Sequence, residues 1–266
     1  MSSTTWILEP DVFPETHASI RAAIRQLGFP LYDWSDSWWN KGIPTTIPST
    51  HVIFHGSLGN AARIAQELNW SPGSFCPVEK FNCSAWYESA RPWLIHEQWR
   101  FTTANELAAH ARAIAEELHS TNRLFIRPDS PLKPFSGRVL DVDQISLAKL
   151  DHGFYYEDES LPVIVAPVRN IGSEWRFVVV DQKVIAGSAY DAAARKPIEA
   201  SLNSAAGQLA TKIAQSLTPP AEAYSLDVCE CEGALRLLEL NPFGGADLYA
   251  CNAESIVRAV SAIATK

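Results

Sequence analysis

The sequence predicts an α+β fold in which a small α/β domain precedes a larger α+β body. Three observations carry that expectation. Strand-like and helix-like segments alternate through the first hundred residues. A capped amphipathic helix then opens a stretch in which strands outnumber helices. Finally, residues 225–241 (SLDVCECEGALRLLELN) read as two strands folded back around Glu232-Gly233-Ala234.

The chain has 266 residues, enough for one large domain or two small ones, and its 47% hydrophobic content is ordinary for a globular protein. No apolar run approaches the ~20 residues of a membrane span. A net charge of −8 argues against a duplex-binding surface, which needs a clear basic excess. The first residues, MSSTT, lack a basic region followed by an apolar core, so no secretory signal is expected. Cys76, Cys83, Cys229, Cys231 and Cys251 are odd in number and irregularly spaced, which fits reduced thiols in a cytoplasm.

In chain order, 6–8 is a short strand, and 18–27 a helix with Ile20, Ile24 and Leu27 on one face and Gly28 as its stop. Residues 51–56 form a buried strand, and 60–68 a short helix bearing Ile64 and Leu68. Residues 69–100 are rich in Pro and Trp and read as a long irregular connection. Eight of the nine tryptophans precede residue 101, where buried packing is the expectation and an aromatic binding face the alternative. Thr103-x-x-Glu106 is a capping box leading into Leu107, Ala111, Ile114 and Leu118. Then follow a strand at 123–127, a loop at 128–137, a helix at 141–150, and strands at 161–168 and 175–180. A helix at 200–217, the hairpin, and a closing helix at 254–265 complete the chain.

Alternation along a strand sends Glu239 and Asn241 to the same face. With the hairpin centred on Gly233, Asp227 lies opposite Glu239, at about 5 Å. Two carboxylates and an amide oxygen would converge, a hard-oxygen set suited to Mg²⁺ carrying nucleotide phosphates. A bulge at the turn would shift that pairing by one. Cys229-x-Cys231 without a second pair at zinc spacing is poor evidence for zinc. Arg127-Pro128 ends a strand with a cation and a chain break. The loop PDSPLKPFSG offers Lys133, Ser136 and Gly137, and GSEWR places Glu174 and Arg176 on one strand face. Taken singly, these are a surface arginine, a solvated loop and an exposed ion pair of little energetic worth.

Together they resemble the ATP-grasp superfamily, and within it a phage- and bacteria-associated clade carrying arginine where most members have a strand lysine. The likeness covers roughly the last 140 residues well and the first hundred only loosely. It implies two α+β lobes clasping ATP, near 101–170 and 171–266, behind a pre-ATP-grasp-like domain at 1–100. By resemblance, Arg127 would touch the α-phosphate, Lys133 the β- or γ-phosphate, and backbone groups near Ser136 and Gly137 the same anion. The strand holding Val165 and Pro167 would pass beside the adenine, although Val165-Ala166-Pro167 stands where members often have a glutamate. Glu174 would bind the ribose hydroxyls. Arg176 and Lys133 would act on the transferring phosphoryl group, and Asp227, Glu239 and Asn241 would hold Mg²⁺. Tyr190, Arg195, Gly244 and Gly245 fall where the family places substrate- and phosphate-facing groups.

The activity implied is ATP-dependent ligation of a carboxylate to an amine or similar nucleophile through an acyl phosphate, forming ADP and phosphate. The partners implied are ATP and a carboxylate substrate, a peptide or protein among the candidates, with no membrane. The alternatives are a phosphotransferase on the same scaffold and a non-catalytic nucleotide-binding module.

Overall fold

The computed structural model describes residues 4–120, 122–150, 159–191 and 196–265, and for 190 and 191 the backbone alone. The chain begins with β1 (Thr5–Leu8), α1 (Pro14–Gln26), β2 (Leu31–Asp33), α2 (Trp38–Lys41), β3 (Thr50–His55), α3 (Leu58–Glu67) and β4 (Ser71–Gly73). It continues through α4 (Val78–Phe81), α5 (Cys83–Ala90), β5 (Arg100–Thr103), α6 (Ala104–Glu117), β6 (Arg123–Pro128), β7 (Arg138–Asp141), α7 (Leu147–Leu150) and β8 (Pro162–Pro167). The last stretch holds β9 (Ile171–Val180), β10 (Lys183–Asp191), β11 (Lys196–Glu199), α8 (Ala205–Ser216), β12 (Ala223–Cys231), β13 (Ala234–Pro242) and α9 (Ala253–Ile263).

These elements gather into two compact units that do not follow chain order. One comprises Met1–Pro77, Gly172–Glu230 and Leu235–Lys266; the other comprises Val78–Ile171 with Cys231–Ala234.

The first unit holds a parallel sheet, β2-β1-β3-β4, and a second sheet, β11-β10-β9-β12-β13. In β1, Trp6 pairs with Leu31 on one side and Ile53 on the other. A single core joins Trp6, Leu8, Ile24 and Ile53 to Val178, Phe243, Ile256 and Val257. The Trp6 indole N–H donates to Ser261 Oγ at 2.9 Å, which satisfies the one polar atom of a fully buried ring. Trp34, also buried, is ringed by Trp38, Trp39, Phe54 and Trp70 with centroids 5.1–6.2 Å away, so this part of the Trp-rich stretch is packing.

Between α1, β3 and the chain after β13 lies a buried pair of imidazoles. His55 Nε2 is 3.0 Å from the carbonyl oxygen of Ala246. A carbonyl only accepts, so His55 donates from Nε2 and its Nδ1 accepts from His17 Nε2 at 2.9 Å. That arrangement requires a neutral His55, and burial together with the neighbouring His17 pushes its pKa down to about 3. Burial, then the Arg21 charge, also lowers His17. In the second unit, burial followed by Arg169 and Arg127 lowers His96 to about 4.

A histidine with a depressed folded-state pKa stays neutral while the unfolded chain takes up a proton below ~6.5, so acid favours unfolding. Stability should therefore be fully present above that value and fall as pH drops toward 4. Between pH 7 and 5 the loss should be about 2 kcal/mol for each deeply buried histidine. Urea unfolding at pH 7, 6 and 5 checks this, and a flat profile contradicts it.

The second unit is an antiparallel sheet, β5-β8-β6-β7, with α6 against one face. The predicted face of α6 is the buried one: Leu107, Ala111, Ile114 and the flanking Leu118 pack with Leu124, Ile126, Val163 and Val165. Thr103 caps the helix by accepting from the Glu106 N–H at 3.4 Å, as its capping box predicts. Among the described residues no helix is long and apolar enough to cross a membrane.

Three elements depart from the sequence reading. Residues 69–100 are not irregular throughout, since α5 forms there. Its start is capped from far away: Ser84 N–H and Oγ both donate to the Asp129 carboxylate at 2.7 Å. The helix expected at 141–150 is only the short α7, because Asp141 joins β7 opposite Arg123 and a 3-10 turn follows. The helix expected from 200 starts at Ala205, because Ser204 is extended and accepts from the Gly207 N–H at 3.1 Å as its cap.

Candidate functional site

Strand β12 lies between β9 and β13, and this order assembles the site. The hairpin turns on two residues in the left-handed region, Glu232 (φ 52°) and Gly233 (φ 80°), and Ala234 already belongs to β13. Asp227 on β12 and Glu239 and Asn241 on β13 share one face. The Asn241 side-chain amide donates to Asp227 Oδ2 at 3.3 Å and to Glu239 Oε1 at 3.0 Å. The convergence expected from the alternation pattern is present.

Arg176 on β9 reaches into the same cluster. Its Nε and Nη2 donate to the two Asp227 oxygens at 2.8 and 2.6 Å, and Nη2 lies 3.7 Å from Glu239 Oε1. Its Nη1 donates to the carbonyl oxygen of Asp247 at 2.8 Å, and its guanidinium carbon sits 4.9 Å from the Tyr249 ring centre. The side chains of Arg176 and Asp227 are only 12% and 10% exposed, which sets this pair apart from a solvated surface bridge.

Burial drives the Asp227 carboxyl above the usual carboxylate range; Arg176 opposes that rise and Glu239 adds to it. For Arg176, burial favours the neutral form, but the adjoining Asp227 outweighs it and holds the guanidinium charged. Two carboxylate oxygens facing two guanidinium N–H groups is the geometry of an ionised pair. Glu174, on the same strand as Arg176, is also raised, by burial first and then by repulsion from Asp227 and Glu239.

These groups line a cleft of about 820 Å³ that also admits Trp175, Ser188 and Tyr249. Sequence reasoning missed Asp247 and Tyr249. The signal was the spacing Asp247-x-Tyr249, an Asx turn in which the Tyr249 N–H donates to Asp247 Oδ1 at 3.0 Å.

Among the described residues no group of three or more His, Cys, Asp or Glu is placed to hold a metal. The set present, two carboxylates and an amide, still fits Mg²⁺. That ion takes one or two protein carboxylates and completes its shell with water and phosphate oxygens. Rotated about its last torsion, the Asn241 amide would turn its oxygen toward the carboxylates.

The second unit carries the other expected nucleotide contacts. Arg127 is buried on β6, on the face opposite to the Leu124 and Ile126 side chains that enter the core. Lys133 is exposed in the loop after β6 with φ 49°, and Ser136 is exposed beside Phe135, whose buried ring anchors the loop. Val165 does not serve as expected. Its side chain lies in the core, and its backbone is flanked by Arg100 of β5 and Ile126 of β6, which leaves none of its groups for a base. Pro167 closes β8 opposite Leu124, so the first backbone beyond the ladder is 168–170.

Gly244 and Gly245 are also accounted for by packing rather than by an approaching substrate. A Cβ on Gly244 would collide with the Ser74 carbonyl group, and one on Gly245 would come 2.7 Å from the Leu58 Cα. The Tyr190 backbone pairs with Pro197, but its side chain and all of Arg195 lie outside the described residues.

A family model described as an ATP-grasp domain, family 2 of its clade, matches residues 101–259. No curated protein matches the chain. Among solved structures, the D-cycloserine synthetase DcsG superposes with a TM-score of 0.67 at 13% identity over 98% of this chain and 99% of that one. The ATP-grasp ligase PsnB, complexed with precursor peptide PsnA2 and AMPPNP, gives 0.57 at 13% identity over 100% and 99%. D-alanine–D-alanine ligase from Bacillus anthracis, complexed with ATP, gives 0.58 at 13% identity over 98% and 92%. The fold is the α+β ATP-grasp fold.

Proposed function

The chain belongs to the ATP-grasp domains, in the clade family whose model it matches, and from that premise we propose an ATP- and Mg²⁺-dependent ligase that joins a carboxylate to an amine or similar nucleophile. One observation carries the reading: Glu174, Arg176, Asp227, Glu239 and Asn241 converge on a single cleft although they come from three strands. Asp227, Glu239 and Asn241 would hold the metal, which when bound supplies positive charge to the nucleotide's phosphate oxygens.

In this proposal Arg127 and Lys133 hold phosphate oxygens, Arg127 through a planar fork able to take two at once. Glu174 accepts hydrogen bonds from the ribose hydroxyls. Arg176 neutralises the phosphoryl group as it moves. A substrate carboxylate oxygen attacks the γ-phosphorus, and the bond to the ADP oxygen breaks. The incoming amine then attacks the acyl carbon, phosphate leaves with the C–O bonding electrons, and the amine loses a proton. Fixed cations and positioning do the catalytic work, without any covalent enzyme intermediate. The precursor peptide bound to PsnB supports a peptide carboxylate as the first substrate class to try. A cytoplasmic location fits ATP as substrate.

The protein should release ADP from Mg-ATP only when a suitable carboxylate is supplied, from a panel of acidic peptides and amino acids. Hydroxylamine should trap the acyl phosphate as a hydroxamate. ADP release with a phosphorylated hydroxyl as the product would assign a phosphotransferase instead. Nucleotide binding without turnover on any acceptor would assign a binding module.

A further inference from the structure

We infer that Arg176 stands in the place of the divalent metal as a resident counter-cation, so that the Asp227–Glu239 pair takes up metal strongly only together with nucleotide. This rests on the metal role proposed above for those two carboxylates. The guanidinium donates to both Asp227 oxygens and approaches Glu239, the same atoms a metal would need. Two cations cannot share those oxygens without strong repulsion in a site this shielded from water.

Metal alone would therefore have to displace Arg176 and leave a guanidinium buried without an anion, which is costly. A polyphosphate removes that obstacle. Its oxygens match the guanidinium fork as well as a carboxylate does, so Arg176 can exchange one anion for another.

The surroundings suit an exchange of partner rather than departure from the cleft. The Asp247 carbonyl accepts from Nη1, the edge that does not face Asp227, and the Tyr249 ring lies beside the guanidinium. Tyr249 is 47% exposed and holds φ 48°, a strained conformation for a bulky residue that burial does not explain. The Asp247 carboxylate fixes it there by accepting from its N–H, and accepts also from the Thr16 hydroxyl of α1. Metal and nucleotide are then coupled through one side chain, and the coupling is reciprocal.

The test uses Mn²⁺ binding to the full chain, read by calorimetry or by the metal's spin resonance, with no nucleotide present. Arg176→Gln should bind Mn²⁺ about ten-fold more tightly than the unmodified protein. Adding Glu239→Gln to that variant should erase the gain. Arg176→Lys keeps a cation but loses the two-pronged grip; it should show a smaller gain and carries the test if Arg176→Gln does not fold.

An Arg176 variant that binds Mn²⁺ no better than the unmodified protein overturns the inference. So does a gain that survives Glu239→Gln. Carboxylate-dependent ADP release by the unmodified protein, with no such gain in the variants, sinks this inference and leaves the ligase reading standing. A gain without any ATP turnover does the reverse.

Discussion

Glu239→Gln is expected to lower Mg²⁺-dependent ATP consumption by about 10³-fold or more, while leaving the fold intact. The substitution keeps the size of the side chain and removes only its charge. Glu239 is 16% exposed and accepts from the Asn241 amide, and the new amide oxygen can still accept there. The loss should therefore appear in turnover and in metal affinity, with stability shifted by no more than about 1 kcal/mol. Retained turnover would remove Glu239 from the metal site. A collapsed fold would mean that its charge serves mainly to balance Arg176.

Gly244→Ala is expected to destabilise the protein by about 3 kcal/mol or more, among the larger effects of any single methyl group in this chain. The Gly244 N–H donates to the Ser74 carbonyl at 3.0 Å, and its own carbonyl accepts from the Gly56 N–H at 2.8 Å. A Cβ would collide with that same Ser74 carbonyl, so backbone rather than a flexible side chain would have to move. Asn241 lies three residues upstream in the chain, so metal affinity should fall with stability.

Gly233→Ala is the control. Nothing lies within 4 Å of its added methyl group, and the only penalty is a φ of 80° at the hairpin tip. That should cost about 1 kcal/mol. Equal losses in the two variants, compared by denaturant midpoint, would show that close packing at Gly244 is not what requires glycine.

Much of this could be read from residues alone because it depends on local periodicity. The alternation of 225–241 placed Glu239 and Asn241 on one face with Asp227, and the 3.6-residue repeat after Thr103 placed Leu107, Ala111 and Ile114 in a core. The capping box at Thr103-x-x-Glu106 marked a helix start to the residue. Where a cap or a neighbour comes from elsewhere in the chain, the pattern was silent. Asp129 completes α5 from 45 residues away, and β8 gains partners on both sides that enclose Val165.

From its sequence, then, this protein's secondary structure, the shared face of its acidic ligands and its family likeness were determined, since each follows from neighbours in the chain or from short motifs. Only the tertiary structure decided that Arg176 is locked onto Asp227, that Gly244 is wedged against Ser74, and that the N-terminal 77 residues are compact with strands beyond residue 171. Those outcomes depend on which distant strands lie side by side. Strand pairing across long separations is chosen by burial of the whole core, and local spacing holds no record of it.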